Sequence, residues 1–153
     1  MRYILVIFIL LFPILSFSQT LATCTPQMGH AYYANMGIVA IPDSGWKVLP
    51  SNGTISLSKL SEGNFDILFT DATKEIRSAA EEGAHVKLLR SGQNEMAFIV
   101  SDPNNNGIAI YDFIRDKQGH NIITIVTNAG GDNASFYKSS VENGECSFIY
   151  FNK

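Results

Sequence analysis

Charged residues are scarce in this chain, and the few that it has form no basic cluster. Lys and Arg number 11 against 14 Asp and Glu among 153 residues, which gives a formal net charge of −3 at pH 7. Proteins that bind nucleic acid concentrate positive charge against the phosphates. A weakly acidic chain without a basic run therefore argues against nucleic acid as the main partner.

Motifs for catalysis and cofactor binding are also missing. The sequence contains neither a G-x-G-x-x-G nucleotide motif nor a G-x-S-x-G nucleophile elbow. The three histidines have no ligand spacing to one another or to the cysteines, so no metal site is expected. The run DPNNNG at 102–107 begins like a calcium loop, but Phe113 stands where such a loop needs Glu. We expect no cofactor, and a binding protein rather than an enzyme.

Long apolar runs are missing except at the start of the chain. Arg2 precedes an almost unbroken apolar stretch at 3–15, and small residues follow at 16–18. This order predicts a secretory signal peptide over 1–18, leaving a single secreted domain over 19–153 that is no longer membrane-bound. A retained anchor is the alternative, although the stretch is shorter than the roughly 20 residues of a spanning helix.

Cysteine occurs only twice, as Cys24 and Cys146, near the two ends of the mature chain. An even number of cysteines in an oxidising compartment favours one disulfide bond. Such a bond would tie the N-terminal segment to the last strand and close a long loop. The alternatives are two unpaired thiols or a bond between two chains.

The remaining sequence alternates short apolar runs with turns rich in Gly, Pro, Asn and Asp. Seven or more short strands at this spacing predict an all-β fold, an antiparallel β-sandwich. We interpret 25–35 as irregular, because it contains Pro26 and Gly29. The predicted strands are 37–41, 46–49, 54–60, 65–70, 85–90, 95–101, 108–115, 121–127, 135–138 and 146–151.

The segment 72–83, ATKEIRSAAEEG, is ambiguous. Its Ala, Lys, Glu and Arg content favours a helix, and Gly83 suits a helix C-terminus. One helix here would change the fold class to α+β. However, the apolar stripe consists mostly of alanine methyl groups, so such a helix would dock weakly. A strand at 75–79 is the alternative.

Several segments, taken in order, resemble the farnesoic acid O-methyltransferase-like domain of extracellular proteins. The similarity covers roughly 46–138. It is carried by ISLS at 55–58, FDILF at 65–69, ATKEIR at 72–77, AFIV at 97–100, NGIAIY at 106–111 and ITIVTNAGGDNASF at 123–136. The resemblance implies a β-sandwich of a kind that often binds glycans. It also implies that 72–77 is a loop running into a strand, so we expect no long helix there.

A candidate binding surface lies in the polar turns. Asp71, Lys74 and Arg77 belong to one turn region, and Asp132 lies in the loop 128–133. Sugar sites combine such hydrogen-bonding groups with one aromatic face. The ring would come from one of three aromatic residues, unless these are buried in the core: Tyr32, Tyr33 and Trp46.

Two N-x-S/T sequons, at Asn52 and Asn133, fall in predicted loops and are candidate glycosylation sites. The sequence therefore predicts a secreted, non-catalytic binding module whose partner is an extracellular glycan or a protein. The alternative function is a small secreted inhibitor or effector that acts on another protein.

Overall fold

A computed structural model describes residues 18–50, 53–70, 73–104, 106–131 and 136–151. The predicted signal peptide, apart from Ser18, lies outside these residues. The described strands are β1 Gln19–Tyr33, β2 Gly45–Pro50, β3 Thr54–Ser61, β4 Asn64–Thr70, β5 Ile76–Ser78, β6 His85–Ser91, β7 Glu95–Asp102, β8 Gly107–Arg115, β9 Asn121–Ala129 and β10 Lys138–Ile149.

The ten strands form one antiparallel sheet, which confirms the predicted all-β fold. The strand order is β5-β4-β3-β1-β10-β9-β8-β7-β6, and β2 pairs with the second half of β1. The sheet curls strongly, so that its two flanks pack on each other. The strands thus belong to one curled sheet, and the two separate sheets of a sandwich are not confirmed.

The core fills the space between the two flanks. Phe65 on β4 meets Phe98 on β7 with ring centroids 5.0 Å apart, and Phe98 meets Phe113 on β8 at 6.1 Å. Leu57 and Ile67, from β3 and β4, are completely buried against them. Alternation of apolar and polar residues along each strand places these side chains on the concave face.

The predicted disulfide bond between Cys24 and Cys146 is present. The two residues are paired partners on β1 and β10, the two central strands of the sheet. Both are buried in the core cluster. The bond therefore joins neighbouring strands far apart in sequence, at a separation of 122 residues.

The first long strand corrects the prediction that 25–35 is irregular. β1 continues through this segment, with a register shift between Pro26 and Met28. Proline is tolerated at such a bulge, because the ladder hydrogen bond is interrupted there anyway. Gly29 packs against Glu142, whose side chain would collide with any Cβ atom at this position. Pro26 therefore marks a bulge in β1, and Gly29 marks a close contact between β1 and β10.

Strand predictions in two other parts of the chain are wrong. The segment 37–41 is not a strand but an exposed loop, which leads into a short 3-10 turn, Ile41–Asp43, that contains Pro42. The predicted strands 135–138 and 146–151 are not separate strands, because Lys138 and the residues 146–149 belong to the single strand β10, whereas 136–137 and 150–151 are not in a strand. Gly144 interrupts the sequence pattern of β10, yet it pairs with Pro26.

The ambiguous segment contains no helix over 73–83, so the α+β alternative is wrong. Ile76–Ser78 is a short strand that pairs with β4, and turns follow it. A buried carboxylate holds these turns in place. Asp66 is 4% exposed, accepts hydrogen bonds from Ser78 Oγ at 2.6 Å and Ala80 N at 3.0 Å, and thus competes with helix formation.

Candidate binding groove

A groove lies at the end of the sheet where β8 and β10 end. Its volume is about 870 Å³. Residues from four places in the chain converge on it: the turn between β6 and β7, the end of β8, the start of β9 and the end of β10. Its lining residues are Gly92, Gln93, Asn94, Arg115, Asn121, Phe148, Ile149, Tyr150 and Phe151. We call this cavity the Arg115 groove.

Arg115, the last residue of β8, is held in place by hydrogen bonds on two sides. Its Nε donates to Asn121 Oδ1 at 3.0 Å, and one terminal nitrogen donates to the Ile149 carbonyl oxygen at 3.3 Å. Its guanidinium carbon lies 5.2 Å from the centroid of the Phe151 ring. None of the ion pairs within the described part of the chain includes Arg115. The guanidinium is thus a positioned hydrogen-bond donor that retains its positive charge.

Aromatic rings form one wall of the groove. Phe148 and Tyr150 have ring centroids 5.1 Å apart, and Tyr150 is 59% exposed. The register shift beside Cys146 explains their direction, because Ser147 has no partner on β1 while Thr23 pairs with Phe148. A bulge of this kind redirects the side chains that follow it. The Tyr150 amide then donates to the Leu21 carbonyl oxygen at 2.7 Å, which fixes the end of the chain on β1.

Side-chain amides also line the groove. Gln93 and Asn94 lie in the turn before β7, which the Gly92 amide closes by donating to the Glu95 carbonyl oxygen at 2.8 Å. The Asn94 carbonyl oxygen accepts from the Arg115 amide at 2.8 Å, so the turn is attached to β8. The described lining contains no Asp, Glu, His or Cys. This set of groups can bind hydroxyl, carbonyl and anionic groups beside an aromatic face.

Lys74 and Arg77, the described residues of the predicted binding surface, are not among the residues that line this groove. Lys74 is exposed and has a positive φ of 64°, and Arg77 on β5 pairs with Glu82 Oε1 at 2.5 Å. Asp71 and Asp132 lie outside the described residues, as do the sequon residues Asn52 and Asn133. The predicted surface and the glycosylation sites therefore stay predictions.

Two of the aromatic residues proposed for that surface are exposed. Tyr32 and Trp46 face each other across β1 and β2 with ring centroids 5.6 Å apart. Trp46 is 69% exposed and Tyr32 is 45% exposed, so the alternative that they belong to the core is wrong. They lie on the convex face of the sheet and do not line the Arg115 groove.

A smaller cavity of about 230 Å³ lies between the two flanks of the sheet, where Tyr111 and Glu142 meet Phe69 and Thr54. Burial raises the pKa of the Tyr111 phenol well above its ordinary value, and the nearby Glu142 carboxylate raises it further. The described residues contain no cluster of three or more side chains suited to a metal ion.

Sequence reasoning did not find the Arg115 groove. The alternation of Phe148 and Tyr150 was visible as a strand pattern, but nothing in the sequence placed these rings beside Arg115. Antiparallel pairing of β8 with β9, and of β10 with β1, brings them together. These contacts join residues more than 30 positions apart, such as Arg115 and Ile149.

Comparisons with known proteins do not assign the chain to a family. No protein-family model, no curated protein and no solved structure matches it. The resemblance to the farnesoic acid O-methyltransferase-like domain therefore stays a prediction. In the part of the chain that the structure describes, no helix has the length and apolar character needed to cross a membrane.

Proposed function

We propose that the protein is a secreted, non-catalytic binding module that binds a glycan in the Arg115 groove. The observation that carries the proposal is the composition of this one cavity. Exposed rings, the amides of Gln93 and Asn94 and the guanidinium of Arg115 converge on a space of about 870 Å³. That volume falls within the usual range of small-molecule sites, roughly 300–1,000 Å³.

The chemistry of a sugar fits these groups. One face of a pyranose ring carries C–H groups that stack on an aromatic ring, and its edge carries hydroxyls that pair with amides. Tyr150, which is 59% exposed, supplies such a ring, and Asn94 and Gln93 supply the amides. Arg115 is anchored by Asn121 and Ile149, so little side-chain entropy is lost when a ligand binds.

Glycan binding can be tested with Tyr150→Ala and an array of purified glycans. We expect the native protein to bind one class of sugar, and the substitution to weaken binding in solution at least about tenfold, equivalent to about 1.4 kcal/mol. Tyr32→Ala is the matched control, because Tyr32 is also exposed but does not line the Arg115 groove.

Two results would contradict this proposal. Failure to bind across broad classes of sugar would rule out a glycan as the ligand. Loss of binding in Tyr32→Ala with full binding in Tyr150→Ala would move the site to the pair of Tyr32 and Trp46. Melting temperatures of both variants show whether a loss reflects unfolding instead.

A second candidate function is inhibition of another secreted protein, and the loop between β1 and β2 favours it. Three apolar side chains in this loop are strongly exposed: Met36 at 51%, Ile38 at 79% and Ile41 at 74%. Pro42 shapes the 3-10 turn that ends it. An exposed apolar loop on a disulfide-tied sheet suits insertion into a cleft of a partner protein.

Affinity capture from native extracellular fluid tests this second candidate. Recovery of one stoichiometric protein, lost in Ile38→Ser, is the expected result. Ile76→Ser is the control, since Ile76 is 69% exposed on β5, outside the loop. Recovery that is equal with both variants would contradict a role for the loop.

A further inference from the structure

The convex face of the sheet carries many exposed apolar side chains. The register places its residues in two rows across five neighbouring strands, because directly paired residues of antiparallel strands point to the same side. One row is Trp46, Tyr32, Ser139, Asn128 and Ile108, and the next is Val48, His30, Val141, Val126 and Ile110. Met28 begins a third row on β1.

Seven of these side chains are large, apolar and exposed, and we call them the convex apolar face. Exposed fractions range from 43% for Val126 to 69% for Trp46. Aromatic side chains have roughly 150–250 Å² of surface each and aliphatic ones less, so the exposed parts together amount to several hundred Å². The seven residues are Met28, Tyr32, Trp46, Val48, Ile108, Val126 and Val141.

The area is large for a surface that contacts only water. Contiguous apolar patches of more than a few hundred Å² mark interaction surfaces. A standard interface buries about 800 Å² on each partner. The convex apolar face therefore supplies a large part of the area that one member of a stable dimer buries.

Charge also restricts the partner. Neither of the two rows contains Asp, Glu, Lys or Arg, and His30 is their only titratable residue apart from Tyr32. A strongly charged partner would find no complementary group here and would lose hydration. A second surface that is equally apolar avoids this cost, and the face of another copy meets this condition.

We propose that two copies of this chain associate through the convex apolar face. The two sheets pack face to face at about 10 Å, with their strands rotated by about 30°, as sheets do in stacked pairs. A two-fold axis near Val141 and His30 places the same residues on both sides, which is the isologous arrangement of most homodimers. This association is independent of glycan binding, because the face and the Arg115 groove share no residue.

The single tryptophan provides a direct test of this dimer. Trp46 is 69% exposed on the face, and the chain contains one Trp. We expect the purified protein to sediment as a dimer at micromolar concentration and to dissociate on dilution. Over the same range, the Trp46 emission is expected to shift to the red and acrylamide quenching to increase.

Substitutions locate the interface. Val48→Lys places a charge on the face, directly beside His30, and is expected to weaken self-association at least tenfold. Ile76→Lys is the matched control, because Ile76 is a β-branched strand residue of similar exposure, 69% against 64% for Val48, on β5. Circular dichroism and thermal melting must show that both variants keep the native fold.

The possible results of these experiments show which partner covers the convex apolar face. A protein that remains monomeric at several hundred micromolar overturns the proposal, as does a dimer that Val48→Lys and Ile76→Lys weaken equally. A monomer that binds phosphatidylcholine vesicles, or one defined protein, only when Val48 is intact would assign the face to that other partner. A dimer lost in Val48→Lys, with glycan binding unchanged, supports this inference apart from the proposed function.

Discussion

Cys24 and Cys146 are directly opposite each other on the two central strands, β1 and β10, and a disulfide bond joins them. The bond lies beside a register shift between Thr23 and Cys24, at the point where β1 also pairs with β3. It therefore connects the two flanks of the curled sheet at the strand pair where they meet. Both cysteines lie in the core cluster and are protected from solvent.

Cys146→Ser is expected to lower the melting temperature by several degrees. Loss of a native disulfide bond costs about 2–5 kcal/mol, in part because the unfolded chain gains freedom. Thermal unfolding followed by circular dichroism measures the change. The double variant Cys24→Ser/Cys146→Ser serves as the control and should melt close to the single variant, since only one bond is lost. Free thiols at both positions of the native protein, detected by non-reduced peptide mapping, would contradict this account.

Asp66→Ala is expected to destabilise the protein by about 1–3 kcal/mol, the cost of leaving buried donors unpaired. The two donors are the Ser78 hydroxyl and the Ala80 amide, and Ser78 Oγ itself accepts from the Glu81 amide at 3.0 Å. Chemical denaturation measures the loss. Hydrogen exchange should quicken most at 78–84, because these turns depend on the carboxylate.

The control for that experiment is Asp43→Ala, which removes an exposed carboxylate from the 3-10 turn. Surface changes of this kind usually stay within about 0.5 kcal/mol. If Asp66→Ala and Asp43→Ala had equally small effects, the carboxylate of Asp66 would not be what holds the turns.

Gly144→Ala is expected to destabilise the fold, because no Cβ atom fits at this position. The added atom would collide with the Thr25 carbonyl oxygen and with the backbone of Pro26 on the neighbouring strand. Overpacking of this kind costs about 1–3 kcal/mol. The midpoint of urea unfolding measures it. Gly107→Ala is the control, since a Cβ atom there would meet its nearest neighbours at 3.9 and 4.0 Å, and a similar loss in both variants would contradict the collision.

At alkaline pH, the buried phenol of Tyr111 is expected to ionise later than an exposed tyrosine and to make stability depend on pH. Burial raises its pKa in the folded state, and Glu142 adds to the effect, whereas an unfolded tyrosine ionises near pH 10. The contribution of Tyr111 to stability is therefore complete below about pH 10 and is lost as the pH rises above that value. Absorbance of tyrosinate should show a group that ionises only when the protein unfolds.

The matched variants for that titration are Tyr111→Phe and Tyr32→Phe. Only the first should remove the late ionisation and reduce the loss of stability above pH 10, because Tyr32 is exposed on the convex face. Ionisation of every tyrosine near pH 10 in the folded protein would contradict the burial of the phenol.

Strand prediction succeeded where local pattern and local structure coincide. The strands β3, β4 and β6 to β9 lie within about two residues of their predicted positions, since each is a short alternating or β-branched run between turn residues. It failed at β1 and β10. There, Pro26 and Gly29 were interpreted as signs of irregular structure, although they occupy a bulge and a close contact that only the partner strand makes necessary, and Gly144 of β10 lay between two predicted strands.

The candidate groove was beyond the reach of sequence patterns for a related reason. The candidate binding surface was predicted in the polar turns at 71–77 and 128–133, because the polar residues of each turn are close together in the sequence. Arg115, Asn94 and Tyr150 form no cluster in the sequence, and each has an ordinary interpretation at a strand end or in a turn. Only the pairing of four strands brings them to one cavity.

The sequence by itself determined the all-β class, the turn positions and the partner of each cysteine. Alternation of apolar residues and turn chemistry are properties of neighbouring residues, and two cysteines allow only one intramolecular bond. Tertiary structure alone decided that the sheet is continuous and curled, that Asp66 is buried, and that Trp46 is exposed. The physical reason is that burial depends on which strands become neighbours, and long-range pairing sets that for the whole chain at once.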